Sequence, residues 1–406
     1  MKFDQKLDNF LNQKLEISSE AFDYRFGYEN FGPFLYGFTS WLKLELEKEK
    51  IEKVFFLARD AKILKSAFDC LYPKNKISHY LYSSRRSWLF PTFAYMEKVE
   101  DCVELIFQNR RSLSYILKNL GLEDKQVMLT ERQLNKSFAS LEELLEDLES
   151  LNFLKSFFPE IQKRAKKELK YLLAYLKQED LSGRIALVDI GWYGRTHEAL
   201  KEIFKQEKLN LSSIAFYTGL RITEQEDSRS YLFKSQKKDY YFTKFRGAIQ
   251  AYESLFIANE GSTLFFEKKD GKIQAVQEKW TAQENKIFFR NFEIQRGALD
   301  FLRDFSQSEL SRDYKEKKEN FWFQGLEKSL ISKTSLEIAE SLGRLRLDHG
   351  AGEIKYLAQA NSLFFYLCHL KQFKQDLSSM VWLSGFMTQL FKIKAPYYLL
   401  LRFLSK

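Results

Sequence analysis

Residues 185–196, IALVDIGWYGRT, hold an apolar, β-branched run that stops at Asp189 and breaks into a loop containing Gly191 and Gly194. A helical pattern follows over 197–205. A short apolar run bounded by glycine and followed by 3.6-residue periodicity reads as strand, turn, helix. That order points to an α/β architecture, in which ligands bind outside the carboxyl ends of the strands. A helix N-terminus there presents unpaired N–H groups and a favourable dipole to an anion. The glycines let the main chain approach closely, and Thr196 is placed to cap the helix or to bond a phosphate oxygen. The predicted anion cradle is Gly191, Trp192, Tyr193, Gly194, Arg195 and Thr196.

A second junction of the same kind lies at 54–68. The run Val54 to Leu57 empties into Ala58, Arg59, Asp60 and Ala61, after which Ile63, Leu64, Ala67, Phe68 and Leu71 share one helical face. Arg59 offers a planar fork for phosphate or carboxylate, or simply neutralises Asp60. Asp60 suits Mg²⁺ or a helix N-cap. A third apolar run, 80–82, ends in Ser83, Ser84, Arg85, Arg86 and Ser87, where two adjacent guanidiniums beside hydroxyls form an anion cradle or a solvated surface. Further on, ESLFIANEGST at 253–263 places Glu253 before an apolar run and reads Glu260, Gly261, Ser262 and Thr263 as a solvated turn.

The strand, ARD loop and helix at 54–68 and the strand and VDIGWYGRT loop at 185–196 together resemble the pyrophosphate and ribose-phosphate loops of type I phosphoribosyltransferases. Gly194 and Thr196 fall on that family's Gly and Thr, and Asp189 on the second acid of its motif. Val188 stands in place of the first acid and Tyr193 in place of the first Thr. The chain is also similar, over about residues 25–265, to proteins of bacterial capsule and cell-wall polysaccharide clusters that carry FLARDG, YLYxSRR and VDIGWxG segments. Here FLARDAK has Ala61 where that group shows Gly. Many of those proteins carry a haloacid-dehalogenase-type phosphatase domain in front; roughly 50 residues before the first strand are too few for one.

The resemblance implies transfer of a 5-phosphoribosyl group from 5-phosphoribosyl diphosphate to a glycan acceptor, with a separate phosphatase removing the 5-phosphate afterwards. It implies Mg²⁺ as cofactor, with Asp60 and Asp189 as its ligands. Arg59, Ser84, Arg85, Arg86 and the 191–196 loop would hold the donor's phosphates. Asp189 would lie near the ribose, and the acceptor hydroxyl needs a base, for which Asp60 and Glu253 are the alternatives. A nucleotide-sugar glycosyltransferase and a non-catalytic scaffold of an envelope-glycan complex are the competing readings.

The expected fold is a phosphoribosyltransferase-like parallel sheet over 1–265, interrupted by a helical insertion at about 99–180, with a hairpin and a C-terminal helical domain over 266–406. Leucine stripes mark the insertion, KKDGKIQAV carries a DG hairpin turn, and long amphipathic helices are predicted at 283–305, 336–346 and 354–373. The aromatic run ENFGPFLYGF at 29–38 reads as core or as a lid on a sugar.

Three cysteines and four histidines without CxxC or HxxxH spacing argue against a disulfide framework or structural zinc and fit a cytoplasmic protein. The chain has no apolar run of membrane-spanning length. Sixty-four basic against 55 acidic residues give +9, which suits an anionic partner: the donor, a lipid-linked glycan, or the inner membrane surface. Because the bases are interspersed with acids and no nucleic-acid module is present, nucleic acid is not an expected partner. Residues 381–406 carry aromatic and leucine residues with four cations and no acid, a segment that can lie in a membrane interface or dock on the core.

Overall fold

The computed structural model describes residues 3–16, 21–107, 110–221, 226–234, 244–280, 282–348 and 354–401. Five strands, β1 (Lys53–Leu57), β2 (Ser78–Leu81), β3 (Gly183–Trp192), β4 (Leu211–Leu220) and β5 (Ser228–Ser230), form one parallel sheet in the order β2-β1-β3-β4-β5. Register pairs Phe56 with Val188 and Val188 with Phe216. Helices cover both faces of a parallel sheet, so its central strands are buried throughout and read as continuous apolar runs. The two-residue alternation sorts them: Val54, Phe56, Ala186 and Val188 face one core, Phe55, Leu57, Ile185 and Leu187 the other.

The helices that position the site are α1 (Gly32–Lys48), α2 (Lys62–Leu71), α3 (Arg85–Thr92), α4 (Phe158–Gln178), α5 (Arg195–Gln206) and α6 (Ala282–Gln307). In α2 the predicted face is the buried one, with Ile63, Leu64, Ala67 and Phe68 against the first core. Leu169, Leu172 and Leu176 of α4 and Leu200 and Ile203 of α5 fill the second. The aromatic run at 29–38 resolves to core: Phe31, Phe34 and Phe38 are fully buried, and Phe34 meets Tyr252 edge-on at 5.8 Å.

Between β2 and β3 the insertion encloses a core of its own, including Val103, Leu113, Ile116, Leu117, Leu144, Leu154 and Ile161. After the sheet, the hairpin β6 (Thr263–Lys269) and β7 (Lys272–Gln277) turns at Asp270 and Gly271, whose φ of 50° and 81° are what a two-residue DG turn requires. Trp382, Leu383, Phe386 and Leu390 are buried in the first core, so residues 383–391 dock rather than lie in an interface. Residues 402–406 of that segment lie outside the described residues.

The helix predicted over 354–373 is corrected: Ile354–Tyr356 pairs antiparallel with Arg346–Asp348, and helices run only over Leu363–Cys368 and Leu370–Ser379. The break has a local cause, since Ser362 caps the first of these by accepting the Phe365 N–H at 3.2 Å. Among the described residues no helix is long and apolar enough to cross a membrane.

Candidate functional site

The strand order reverses direction at β1 and β3: the chain moves outward to β2 on one side and to β4 and β5 on the other. Adjacent loops at the carboxyl ends of such a pair splay apart and leave a crevice. Here the crevice is a cavity of about 760 Å³. Arg59, Asp60, Ser84, Arg85, Arg86, Asp189, Gly191, Trp192, Tyr193, Gly194, Arg195, Thr196 and Glu253 all line it. The polar loops after β1 and β2 and the loop after β3, more than a hundred residues further along the sequence, therefore share one space.

Their side chains do different things. Arg86 donates to both carboxylate oxygens of buried Glu168 at 2.8 and 3.0 Å and lies over the Phe90 ring. Its fork is already filled, which corrects its expected place among phosphate ligands. Ser84 caps α3, accepting the Ser87 N–H at 2.9 Å while donating to the Thr263 carbonyl at 2.5 Å. Its hydroxyl therefore ties the hairpin to α3, and it too is corrected from ligand to support. Arg59 lies 3.9 Å from Asp60, too far for a close pair.

Arg85 and Arg195 are different. The Nη1 of Arg195 is buried without a hydrogen-bond partner, and neither arginine has an ion-pair partner among the described residues. Burial and the neighbouring Arg85 charge both press the Arg195 pKa downward. Two neighbouring guanidiniums, one with a desolvated orphan donor, make this end of the cavity suited to an anion. Gly194, in the left-handed conformation at φ 64°, precedes α5, and no side chain caps that helix. The amides of its first turn thus lack intrahelical acceptors and open on the same cavity. Thr196 stands in that first turn and is not the cap.

The side chain of Trp192 and the missing Cβ of Gly191 have roles of their own, beside any part their main-chain amides play. The Trp192 ring is only 7% exposed and packs against Phe245 and Tyr252, and its Nε1–H donates to Glu253 Oε1 at 2.6 Å. It orients a carboxylate. Gly191, at φ 113°, is needed because a Cβ there would stand 2.0 Å from the Gly219 carbonyl of β4. Tyr193 stays at the surface of the site, accepting a hydrogen bond from Arg221.

Three carboxyl groups complete the floor. Burial raises Glu253 to about 7, and the charges of Asp60 and then Asp189 add to the effect. Asp189 is likewise pushed to about 7, by burial and then by Asp60, although it accepts the Ile190 N–H at 2.7 Å. Asp60 is raised by burial against a lowering by Arg59, and Ala61, not Asp60, precedes the helix. Arg85 offsets part of the charge at both Asp189 and Glu253. Among the described residues no three His, Cys, Asp or Glu side chains are close enough to form a metal cage.

These shifts carry a stability consequence. In an unfolded chain the two groups ionise near pH 4, whereas the folded protein holds their protons to about 7. Their contribution is fully present below about pH 4 and is lost as pH rises through 7. Allowing for water in the cleft, the ligand-free protein is expected to lose about 2–4 kcal/mol across that window. Differential scanning calorimetry checks it: Tm should fall by several degrees from pH 5 to pH 8, and Asp189→Asn should flatten the fall.

The cavity also contains residues that no motif marked. Tyr115, Lys118 and Asn119 come from the insertion, and Arg221 follows the last residue of β4. Arg221 obeys the rule that exposed the others, a charge directly after an apolar strand. The insertion residues sit on an ordinary amphipathic helix and carry no local signal. Glu260, expected in a solvated turn, has its side chain buried, where it accepts hydrogen bonds from Tyr80 and Lys62. No family model matches the chain, and no curated protein matches it significantly.

Proposed function

We propose that the protein is a glycosyltransferase of bacterial surface-polysaccharide assembly that moves a 5-phosphoribosyl group from 5-phosphoribosyl diphosphate to a glycan hydroxyl, on a phosphoribosyltransferase-like sheet. One observation carries the reading: Arg195 with its buried, unpartnered Nη1, the neighbouring exposed Arg85 and an uncapped helix N-terminus share a switch-point cavity with Asp60, Asp189 and Glu253. A donor with phosphates at both ends of a pentose needs cations and amides for its anionic groups and carboxylates around its ring.

In the reaction the bond between the anomeric carbon and the diphosphate oxygen breaks, and a bond to the acceptor oxygen forms. The diphosphate leaves with the electron pair, and Glu253 takes the acceptor's proton. A base near 7 suits this task at neutral pH, because it is substantially deprotonated yet holds the proton well. Arg85 and Arg195 stabilise charge gathering on the departing diphosphate, and the first-turn amides of α5 hold the 5-phosphate. Asp189 faces the ribose, where its charge favours the oxocarbenium-like state. Asp60 and Asp189, both raised by burial and with the Asp60 charge raising Asp189 further, fit a divalent cation. Mg²⁺ bound there would neutralise diphosphate charge, taking its remaining ligands from phosphate and water. The acceptor is a lipid-linked glycan, and a separate phosphatase acts on the product.

Titration calorimetry with 5-phosphoribosyl diphosphate and Mg²⁺ tests the reading. Binding competed by inorganic diphosphate is expected, and Arg85→Ala or Arg195→Ala should each weaken it about 10–100-fold, as loss of a charge-assisted hydrogen bond does. Binding of a nucleotide sugar in place of this donor would overturn the proposal.

A further inference from the structure

The C-terminal region leaves an apolar face without a partner. Of the seventeen large hydrophobic side chains that the described residues expose, eight lie between 363 and 400. Leu363, Phe364 and Leu367 stand on one side of the helix Leu363–Cys368, while Tyr366 on the other side is buried and packs towards Phe386. The exposures are large, 76% for Phe364, 66% for Leu367 and 64% for Leu370. An orientation fixed by the buried Tyr366 keeps these side chains pointing outward.

Charge identifies what would cover them. Across 357–401 the sequence holds four lysines and a single acid, Asp376. That acid is taken up internally, accepting the Tyr366 hydroxyl at 2.6 Å and the Gln372 amide at 2.7 Å. Lys371 and Lys374 follow Leu370 on the exposed side of the helix Leu370–Ser379. Lys392 reaches Glu340 at 3.3 Å but remains 58% exposed. Apolar side chains bordered by lysines, with the one acid held by internal hydrogen bonds, match the boundary between acyl chains and anionic headgroups. A two-fold contact with a second copy matches poorly, because it would set the lysine-bordered patch against itself.

We propose that the face formed by Leu363, Phe364, Leu367 and Leu370, with Lys371 and Lys374 beside it, docks the protein on an anionic lipid bilayer. The side chains enter the headgroup boundary and the lysines remain among the phosphates. This moves membrane contact from residues 381–406 to the two helices before them, Leu363–Cys368 and Leu370–Ser379. The inference does not depend on the reaction at the cavity.

The test is co-sedimentation of the full chain with vesicles of phosphatidylcholine, with and without phosphatidylglycerol. Wild-type protein should pellet with the anionic vesicles and remain largely in solution with the neutral ones. Phe364→Ser with Leu367→Ser should weaken binding at least about a hundredfold, since two apolar side chains leave the boundary. Lys371→Gln with Lys374→Gln should weaken it roughly thirtyfold on anionic vesicles only. The lysine variant is independent of the serine variant's folding, which far-UV circular dichroism checks. Absence of wild-type binding to anionic vesicles overturns the proposal, as does equal binding by either variant. A dimer in sedimentation velocity that the serine pair dissociates, without vesicle binding, would instead assign the face to a second copy.

Discussion

If the proposed phosphoribosyl transfer is the reaction, Glu253→Gln is expected to lower its rate about 10²–10⁴-fold, the range over which a positioned general base acts. Donor affinity should change little, because the substitution keeps an oxygen that can accept the Trp192 indole N–H. The effect then appears in kcat and not in Kd, which stopped-assay measurements of diphosphate release and calorimetry separate. Trp192→Phe supplies the companion measurement. The indole hydrogen bond holds the Glu253 pKa down against its burial and the nearby Asp60 charge. Without it that pKa rises, so the acidic limb of the pH–rate profile moves to higher pH while the rate above the limb is kept. A purely structural tryptophan would lower the rate at every pH without moving the limb. If Glu253→Gln turns over like wild type, the base is another group and Asp60 is the next to replace.

Gly191→Ala should be the most destabilising single methyl in this region, at about 3–5 kcal/mol in chemical denaturation. The new Cβ would stand 2.0 Å from the Gly219 carbonyl, and the φ of 113° is disallowed to it in any case. Backbone is the obstacle, so no rotamer change relieves the contact. Gly191 pairs with Gly219 one position before the end of the ladder between β3 and β4, so the two backbones run close together right up to the loop that enters the site. Gly219→Ala is the control. Its Cβ would press on the Phe233 and Trp192 rings at 2.9 and 3.0 Å, and its φ is not in the left-handed region. A cost of about 1–3 kcal/mol, typical of overpacking, is expected there.

The same residues show how much was legible beforehand. Strands β1 and β3 could be read because a strand buried on both faces is an unbroken apolar run, and the charge that ends each run marked the loop. The DG turn was readable because its backbone conformation narrows the residue choice to very few. Convergence of the three loops on one cavity followed from strand order, which sequence suggested only through resemblance.

What escaped the reading was long-range. Arg86 looks identical to Arg85 in sequence, yet Glu168, 82 positions away on α4, claims one and leaves the other. Trp192 sits among loop residues, and only the position of Glu253 and the Phe245–Tyr252 cluster turns its ring inward. Gly191 carries a motif's glycine for a reason that belongs to the neighbouring strand. The extended segment at 354–356 has too few residues for its two-residue alternation to stand out from the helical spacing around it.

The insertion's private hydrophobic nucleus has an evolutionary corollary. Tyr115, Lys118 and Asn119 overhang the cavity from a unit whose interior is not shared with the sheet. Such a unit can change its overhanging residues, or be exchanged wholesale, while the loops beneath keep their geometry. The residues that overhang the cavity and the polar loops that form its base are therefore free to diversify at different speeds within one polypeptide.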